Sequence, residues 1–272
     1  MKARVIAADS SSRVGGGSEA MDVETKELIE IDYWRSSSEE SPEADSVSNI
    51  INKVSDAANF LDCLGRFPAA LRGVERAVEL GGGQGWASCL FKRLYPSAQV
   101  TATDISQYAI GSIEKWERLW GAKVDRAYDC RSYSTRETDS SVDLVFCFAS
   151  AHHFRKHDAT LREISRILKP GGRALYLYEP ATPKALHSLA HWRVNRKRPA
   201  VPEDVLITSR ILELAGRNGL VASVSYHPSV VRRGPFETIY YGVLSRMAPL
   251  QKMLPCTANF EFLKPVSFVA RA

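Results

Sequence analysis

The stretch AVELGGGQGWAS, from Ala77 to Ser88, joins an apolar strand pattern to a helix pattern through four glycines. Glycines at such a turn let the backbone approach a ligand closely and take positive φ. The unpaired N–H groups and the positive dipole end of the following helix then lie at the carboxyl edge of the sheet, where ligands of such folds bind. The stretch therefore predicts a strand–turn–helix unit that holds a nucleotide-type ligand.

Strand and helix patterns alternate on both sides of this turn, between Glu75 and Glu179. The strand patterns are ERAVEL, QVTATD, VDRAYD, SVDLVFCF and RALYLYE, and the helix patterns are GWASCLFKRLY, SQYAIGSIEKWERLW and HDATLREISRIL. Repeated units of this length imply parallel strands joined by right-handed crossovers. We therefore expect an α/β fold with a Rossmann-like, doubly wound sheet.

The composition divides the chain into three parts. Residues 1–21 are rich in serine and glycine, without periodicity, and are predicted to be a disordered tail. Residues 22–69 contain two amphipathic patterns and are predicted to form a helical arm or lid. Residues 70–272 are predicted to form the core, with cap insertions at about 181–202 and 229–258.

Three local predictions concern the flanks of the core. The second amphipathic pattern is predicted to bury one helix face, made of Ile50, Ile51, Val54, Ala57, Ala58 and Leu61. PEDVLITSRILELAGRNGL is predicted to be one helix, followed by the strand LVASVSYH. ANFEFLKPVSFVARA is predicted to be the last strand, in which Pro265 suits an edge position or a bulge.

The composition is that of an ordinary globular protein, with 44% hydrophobic and 25% charged residues in a chain of 272. No run of 18 apolar residues and no signal-peptide pattern are present, so we expect a cytoplasmic protein without a membrane span. The five cysteines include no C-x-x-C pair, and no clustered ligand spacing predicts a metal site. The oligomeric state is open.

The glycine spacing distinguishes between nucleotide ligands. A dinucleotide fingerprint G-x-G-x-x-G beginning at Gly81 would need a glycine where Trp86 stands, and no P-loop pattern occurs at this turn. The pattern that fits is E-x-G-x-G-x-G, at Glu79, Gly81, Gly83 and Gly85. With it, the chain from Glu75 to Glu179 resembles the class I S-adenosylmethionine-dependent methyltransferases, in particular those that act on small molecules.

The resemblance implies a fold and a set of binding residues. The fold is a seven-stranded sheet of order 3-2-1-4-5-7-6 whose seventh strand is antiparallel. The implied cofactor is S-adenosyl-L-methionine, with its methionyl end at Glu79, Gly81, Gly83 and Gly85. The ribose hydroxyls would bind Asp104, the adenine ring would pack on Ile105, its amino group would face Asp129 beside Cys130, and Phe148 would line the cleft floor.

The segment FASAHHF places two histidines where the resembled family has the transferred methyl group. Methyl transfer to a hydroxyl benefits from a base, and histidine has a suitable pKa. His153 is our candidate base, although a paired histidine in this family can also only orient the loop. His187, His191 and Glu179 are weaker candidates, and Tyr33 with Trp34 is predicted to form a lid.

The basic segment HWRVNRKRP, residues 191–199, allows several interpretations. Nucleic acid is disfavoured, because ASAHHF stands where nucleic-acid amino-methylating enzymes of this fold carry N/D-P-P-aromatic. The segment would equally suit a phosphorylated or sugar-nucleotide substrate, the acidic residues 22–45, or solvent.

We therefore expect S-adenosylmethionine-dependent methylation of a small molecule, at an oxygen of a sugar or secondary metabolite. The alternatives are an NAD(P)-dependent oxidoreductase and a non-catalytic protein that retains the cofactor fold.

Overall fold

The computed structural model of the protein describes residues 23–37, 46–197, 203–231 and 233–266. The helices are α1 Val23–Ser36, α2 Val47–Gly65, α3 Pro68–Leu71, α4 Trp86–Leu94, α5 Gln107–Ile110, α6 Ile113–Trp120, α7 His157–Ile167, α8 His187–Lys197, α9 Thr208–Arg217, α10 Pro235–Arg246 and α11 Ala248–Met253. The strands are β1 Arg76–Glu79, β2 Gln99–Asp104, β3 Arg126–Asp129, β4 Val142–Phe148, β5 Leu168–Thr182, β6 Leu206–Ile207, β7 Val221–Tyr226 and β8 Cys256–Leu263. Short 3₁₀ turns occupy Ala151–His153 and Lys184–Leu186. The predicted tail 1–21, residues 198–199 of the basic segment and the last residues of the predicted final strand lie outside the described residues.

The strands form one sheet in the order β3-β2-β1-β4-β5-β8-β7. Strands β1 to β5 pair in parallel, and β8 is antiparallel to both β5 and β7. The predicted order is confirmed, with β7 and β8 as the sixth and seventh strands. The sheet has eight strands rather than the predicted seven, because the two-residue strand β6 also pairs with β5.

Helices cover both faces of the sheet, as the doubly wound prediction requires. On one face, α2, α4 and α6 pack around Phe60, Phe91 and Trp116 against β1, β2 and β4. On the other face, α7 and α9 pack through Ile164 and Leu214 against β5 and β8. The strands between them are buried on both faces, which explains continuous apolar runs such as LVFCF in β4.

The register brings the carboxyl ends of the central strands to one edge. Glu79 at the end of β1 pairs with Ala102 of β2 and Phe146 of β4. Asp104 at the end of β2 pairs with Asp129 at the end of β3. The residues that follow these strands therefore meet at the same edge of the sheet.

Helix α2 begins where Ser46 caps it by accepting a hydrogen bond from Asn49 N at 3.1 Å. The predicted buried face is wrong apart from Ala57, since Ile51 is 55% and Val54 is 49% exposed and Ile50, Ala58 and Leu61 are exposed as well. The buried residues are instead Asn49, Ala57, Asn59, Phe60, Cys63 and Leu64. A helix on a sheet buries one face only, and the large Phe60 ring determines which face that is.

Two predictions in the last third of the chain need correction. The helix predicted from Pro202 begins only at Thr208, because Leu206 and Ile207 pair with the end of β5 as β6. The last strand, β8, lies between β5 and β7 and ends at Leu263. Pro265 therefore follows the strand, so a prolyl residue without an N–H does not interrupt the ladder.

Helices α10 and α11 fill the connection between β7 and β8 and contact each other through the hydrogen bond from Gln251 Nε2 to Leu244 O, 2.7 Å. Together with α8 they form the cap helices of the molecule. Throughout the described ranges, none of the helices combines the length and the apolar character that crossing a bilayer requires.

We predict that Phe60→Ala lowers the free energy of unfolding by about 3–5 kcal/mol, because it empties a fully buried position. The ring contacts those of Trp86, Phe146 and Phe148, at centroid distances of 5.8, 5.9 and 5.6 Å. The matched control is Ile51→Ala on the same helix, which is expected to change stability by less than about 0.5 kcal/mol. Chemical denaturation measures both, and similar losses in the two variants would contradict the assigned buried face.

Candidate functional site

The glycine turn after β1 has left-handed backbone at Gly81, Gly83 and Gly85. A Cβ at Gly85, which precedes α4, would stand 2.7 Å from Ile113 Cδ1, and a Cβ at Gly83 would stand 3.0 Å from the Trp34 ring. Both positions therefore need glycine for φ and for space. The turn is held against β2 by the hydrogen bond from Gly82 N to Thr103 O, 2.8 Å.

The carboxylate of Glu79 supports this turn from the side away from the cleft. Its Oε2 accepts hydrogen bonds from Ser88 N, at 3.0 Å, and from the Ser88 hydroxyl, so it joins the end of β1 to the first turn of α4. Glu79 is 2% exposed, and burial raises the pKa of its carboxyl to about 7. The side chain lies under the turn and reaches Gly82 rather than the open cleft.

Asp104 holds the same turn from the side of β2. Its Oδ2 accepts a hydrogen bond from Gly83 N and its Oδ1 accepts one from Ser106 N, both at 2.8 Å. Burial raises the pKa of this carboxyl to about 6, against the opposing effect of the two N–H donors. Each oxygen keeps a lone pair, so the carboxylate can accept two further hydrogen bonds from a ligand in the cleft.

A cleft of about 1010 Å³, measured to its open mouth, lies at this edge of the sheet. Seven residues predicted for the site line it, namely Gly81, Gly83, Asp104, Ile105, Cys130, Phe148 and His153. The other lining residues include Gln84, Trp86, Arg131, Ser132, Tyr133 and Ala149, with Glu30 and Trp34 from α1. With Lys53 and Asp56 from α2, the structure gathers residues from six separate stretches of sequence around one space.

Three predicted cofactor residues are not among those that line the cleft. Glu79 and Gly85 lie behind the turn, as described above. Asp129 ends the edge strand β3, and its exposed carboxylate faces Arg136, with 3.5 Å between Oδ1 and the guanidinium nitrogen. An edge strand has no further strand to cover its outer side, so its last side chain meets solvent.

The cleft floor is aromatic. Phe148 contacts Trp86 edge-to-face at 5.6 Å and stacks on Tyr178 at 5.5 Å with an interplanar angle of 11°. Two non-glycine residues beside this stack, Ala149 and Tyr178, have positive φ, of 48° and 61°. Such strained backbone persists where the surroundings over-determine it and tends to occur at functional sites.

The turn that follows β4 is anchored by Glu179, which is fully buried. Its Oε1 accepts from Ser150 N at 2.9 Å and Ala151 N at 2.8 Å, and its Oε2 accepts from His152 N at 3.1 Å. The ring nitrogen Nδ1 of His152 lies 2.8 Å from Oε2. Burial alone raises the pKa of Glu179, but His152 and the backbone donors outweigh it and hold this pKa below its usual value.

His153 turns the other way, into the cleft, and faces α1. Its Nδ1 lies 3.3 Å from Oε2 of Glu30, which leaves Nε2 as the ring atom available to a ligand. Burial alone lowers the pKa of His153, but the Glu30 carboxylate outweighs it and raises this pKa. The same pair lowers the pKa of Glu30 against the effect of burial.

Helix α1 covers the cleft through contacts that link it to the core. The buried carboxylate of Glu27 accepts from Arg131 Nε at 2.7 Å and from Tyr133 hydroxyl at 2.8 Å. The Trp34 ring lies on Gly83, and Tyr33 contacts Trp34 edge-to-face. The sequence analysis did not identify Glu27 and Glu30 as site residues, because their partners lie more than a hundred residues later in the sequence.

The weaker histidine candidates lie on α8. Nε2 of His187 is 3.2 Å from Asp204 Oδ1, and the rings of His187 and His191 are 5.8 Å apart. Neither residue is among those that line the cleft. Among the described residues, His152, His153 and Glu203 each offer a donor atom within 4.8 Å of the others, which makes them the group that could hold a metal ion.

Comparison with known proteins shows similarity to methyltransferases. Residues 78–176 match the family described as a methyltransferase domain. A fatty-acid O-methyltransferase from Mycolicibacterium smegmatis is 25% identical over 159 residues, which cover 58% of this chain and 54% of that protein. The chain thus spans about half the length, or less, of the first curated relatives it matches.

Solved structures share the fold at low identity. Phosphoethanolamine N-methyltransferase 2 of Haemonchus contortus, in complex with S-adenosyl-L-methionine, has a TM-score of 0.59 at 17% identity, over 86% of this chain and 60% of that one. The [4+2]-cyclase SpnF has a TM-score of 0.56 at 18% identity, over 78% of this chain and 81% of that one. The fold therefore accommodates more than one chemistry.

We predict that Glu179→Gln lowers the free energy of unfolding at neutral pH by about 3 kcal/mol. A neutral amide has only one oxygen and cannot accept hydrogen bonds from all the buried N–H donors around it. Since the folded pKa of Glu179 lies below the unfolded one, its carboxylate stabilises the fold above the unfolded pKa of about 4.5. That contribution is lost as pH falls through the folded pKa, so the gap between variant and parent narrows in acid.

Chemical denaturation between about pH 2 and pH 8 measures this gap. Glu213→Gln is the control, because Glu213 forms exposed helix-surface pairs with Arg210 and Arg217 and should cost less than about 0.5 kcal/mol. A gap that is absent at neutral pH, or that widens in acid, would show that Glu179 does not anchor the turn.

Proposed function

We propose that the protein transfers a methyl group from S-adenosyl-L-methionine to a small molecule, a proposal supported by the match of residues 78–176 to the methyltransferase domain family. The observation that carries the proposal is Asp104, a buried carboxylate held by Gly83 N and Ser106 N at the edge of the cleft. A carboxylate with free lone pairs beside a glycine turn suits the ribose hydroxyls of an adenosine cofactor.

The cleft offers a place for each part of this cofactor. The methionyl group would lie along Gly81 and Gly83, whose missing Cβ atoms leave room for it, and the adenine ring would pack on Ile105. Since Asp129 faces Arg136 outside the cleft, we propose that the segment from Cys130 to Ser132 receives the adenine amino group instead. Glu79 and Gly85 act through the shape of the turn.

When bound, the cofactor supplies a sulfonium methyl group as the electrophile. We propose that His153 takes the proton of an acceptor hydroxyl at Nε2, while Glu30 holds Nδ1 and stabilises the imidazolium. The Glu30 carboxylate, which raises the pKa of His153, would strengthen this ring as a proton acceptor. The aromatic floor and α1 exclude water from the transfer. The acceptor would be a hydroxyl of a sugar or secondary metabolite.

The two alternatives are less well supported. In a dinucleotide enzyme, a glycine would occupy position 86, where the Trp86 ring lines the cleft and contacts Phe148. A non-catalytic protein would have no use for a histidine with a carboxylate partner inside the cleft.

We predict that S-adenosylhomocysteine binds and NAD(H) does not, and that Asp104→Asn weakens the binding about a hundredfold by removing two charge-assisted hydrogen bonds. Titration calorimetry on the full chain measures this. Asp129→Asn is the matched control, because that side chain lies outside the cleft and its variant should bind as the parent does.

The pH dependence provides a second criterion. Because the pKa of Asp104 is about 6 and the ionised form accepts the ribose hydroxyls, affinity should fall as pH drops below 6. If S-adenosylhomocysteine fails to bind the folded parent protein at any pH, the proposed cofactor is wrong.

We predict that Glu30→Gln lowers the pKa of His153, because the facing carboxylate is what raises it. Nuclear magnetic resonance of the ring protons reports this pKa without any acceptor. With an acceptor identified by screening, His153→Ala should reduce kcat about 10²- to 10⁴-fold while binding of S-adenosylhomocysteine is retained. His191→Ala, on α8, is the control, and near-parental turnover of His153→Ala would exclude the base role.

A further inference from the structure

Helix α10 presents an apolar face that nothing in the described chain covers. Phe236, Ile239 and Val243 recur at helical spacing along this face, with the exposed Met247 directly after the helix, and the Phe236 and Ile239 side chains are 86% and 68% exposed. Single exposed apolar residues are ordinary, but a row of three on one helix with a fourth at its end is a feature of interaction surfaces.

The neighbouring cap helices extend this face. On α8, Leu189 and Trp192 are exposed, and the Arg196 guanidinium lies 5.3 Å from the centre of the Trp192 ring. Arg193 joins α8 to α10 through an ion pair of 3.2 Å with Glu237. On α11, Met253 is exposed beside Lys252. We call these exposed apolar residues of α8, α10 and α11, with the basic residues among them, the cap surface.

The cap surface belongs to the most basic part of the chain. Residues 184–198 contain five lysines and arginines and no acid, and residues 229–255 contain four with Glu237 as the one acid. Together, these two segments carry a net positive charge larger than the formal charge of +5 of the whole protein. Apolar side chains surrounded by cations match a partner that is both apolar and anionic.

We propose that the cap surface binds the face of a bilayer that contains anionic phospholipid. Phe236, Ile239 and Trp192 would enter the boundary between headgroups and acyl chains, while Arg196, Arg246 and Lys252 contact the phosphates. This is the way interfacial amphipathic helices bind membranes without crossing them.

Other occupants match only part of this chemistry. A second copy of the chain would bring one cationic surface against another. The acidic segment SEESPEAD, residues 38–45, has the complementary charge but no large apolar residue to cover Phe236 or Ile239. A nucleic acid would likewise neutralise the arginines and leave the aliphatic residues in water.

The cap surface is coupled to the cleft by the segment that precedes α10. Arg233 donates to the Tyr178 hydroxyl at 3.3 Å and to Thr257 Oγ1 at 3.1 Å, and Tyr178 stacks on Phe148 at the cleft floor. A protein docked through the cap would therefore hold this cleft close to the bilayer. The membrane binding itself does not depend on the proposed methyl transfer.

Vesicle flotation with the full-length protein tests the proposal. We expect the protein to float with vesicles of phosphatidylcholine and phosphatidylglycerol at least about tenfold more strongly than with phosphatidylcholine alone, and to dissociate with added salt. The double variant Phe236→Ser/Ile239→Ser should lose about tenfold or more of this binding. Arg196→Gln/Lys252→Gln should lose the preference for anionic lipid.

The matched control is Ile51→Ser/Val54→Ser, which removes two comparably exposed apolar residues from α2 and should float as the parent does. Failure to bind anionic vesicles would overturn the proposal. So would an equal loss in the α2 control, or a dimer in gel filtration that Phe236→Ser/Ile239→Ser abolishes. Tighter binding to RNA than to vesicles, lost in Arg196→Gln/Lys252→Gln, would assign the surface to nucleic acid instead.

Discussion

Three buried carboxylates that accept backbone N–H groups hold the segments after β1, β2 and β4 at this site. Each of the three lies at the carboxyl edge of the sheet and takes the donors of a turn that has no strand to pair with. Glu79 binds Ser88 at the beginning of α4, Asp104 binds the glycine turn and the loop after β2, and Glu179 binds the turn after β4. Turns at a sheet edge leave N–H groups unpaired, and a buried unpaired donor is costly. The carboxylates remove that cost and, in doing so, determine the shape of the cleft.

The same three groups differ in charge state because their partners differ. At Glu79 and at Asp104, the two hydrogen-bond donors do not offset the effect of burial. The pKa values of these carboxyls therefore rise to about 7 and about 6. At Glu179 three backbone donors and the His152 ring do offset it, so its pKa falls. An anion is therefore permanent behind the histidine pair, whereas the negative charge beside the glycine turn responds to pH and to a bound ligand. The site thereby combines the ionised carboxylate of Glu179 with carboxylates beside the glycine turn whose charge depends on pH and on a bound ligand.

Sequence reasoning predicted the fold well. The alternation of strands and helices and the glycine turn follow from residues that are close in sequence, and the strand order follows from the resemblance. The buried face of α2 was missed because apolar spacing on a helix marks several possible faces, and only packing on Phe146 and Phe148 selects the one with Phe60. β6 was missed because a two-residue strand has no period to detect.

Sequence reasoning proposed an arm, a cap and His153 for the other side of the cleft, but it missed the contacts that join them, for a different physical reason. The cofactor side lies within one run of strands and helices, whereas Glu30 comes from α1 and Arg233 from the segment before α10, on opposite sides of that run. Of their partners, His153 lies in the short 3₁₀ turn after β4, and Tyr178 has positive φ at the register shift in β5. Helix α1 and the segment before α10 are thus linked to the cleft by contacts between residues that are far apart in sequence. The cleft is therefore completed by elements that a domain pattern confined to residues 78–176 does not contain.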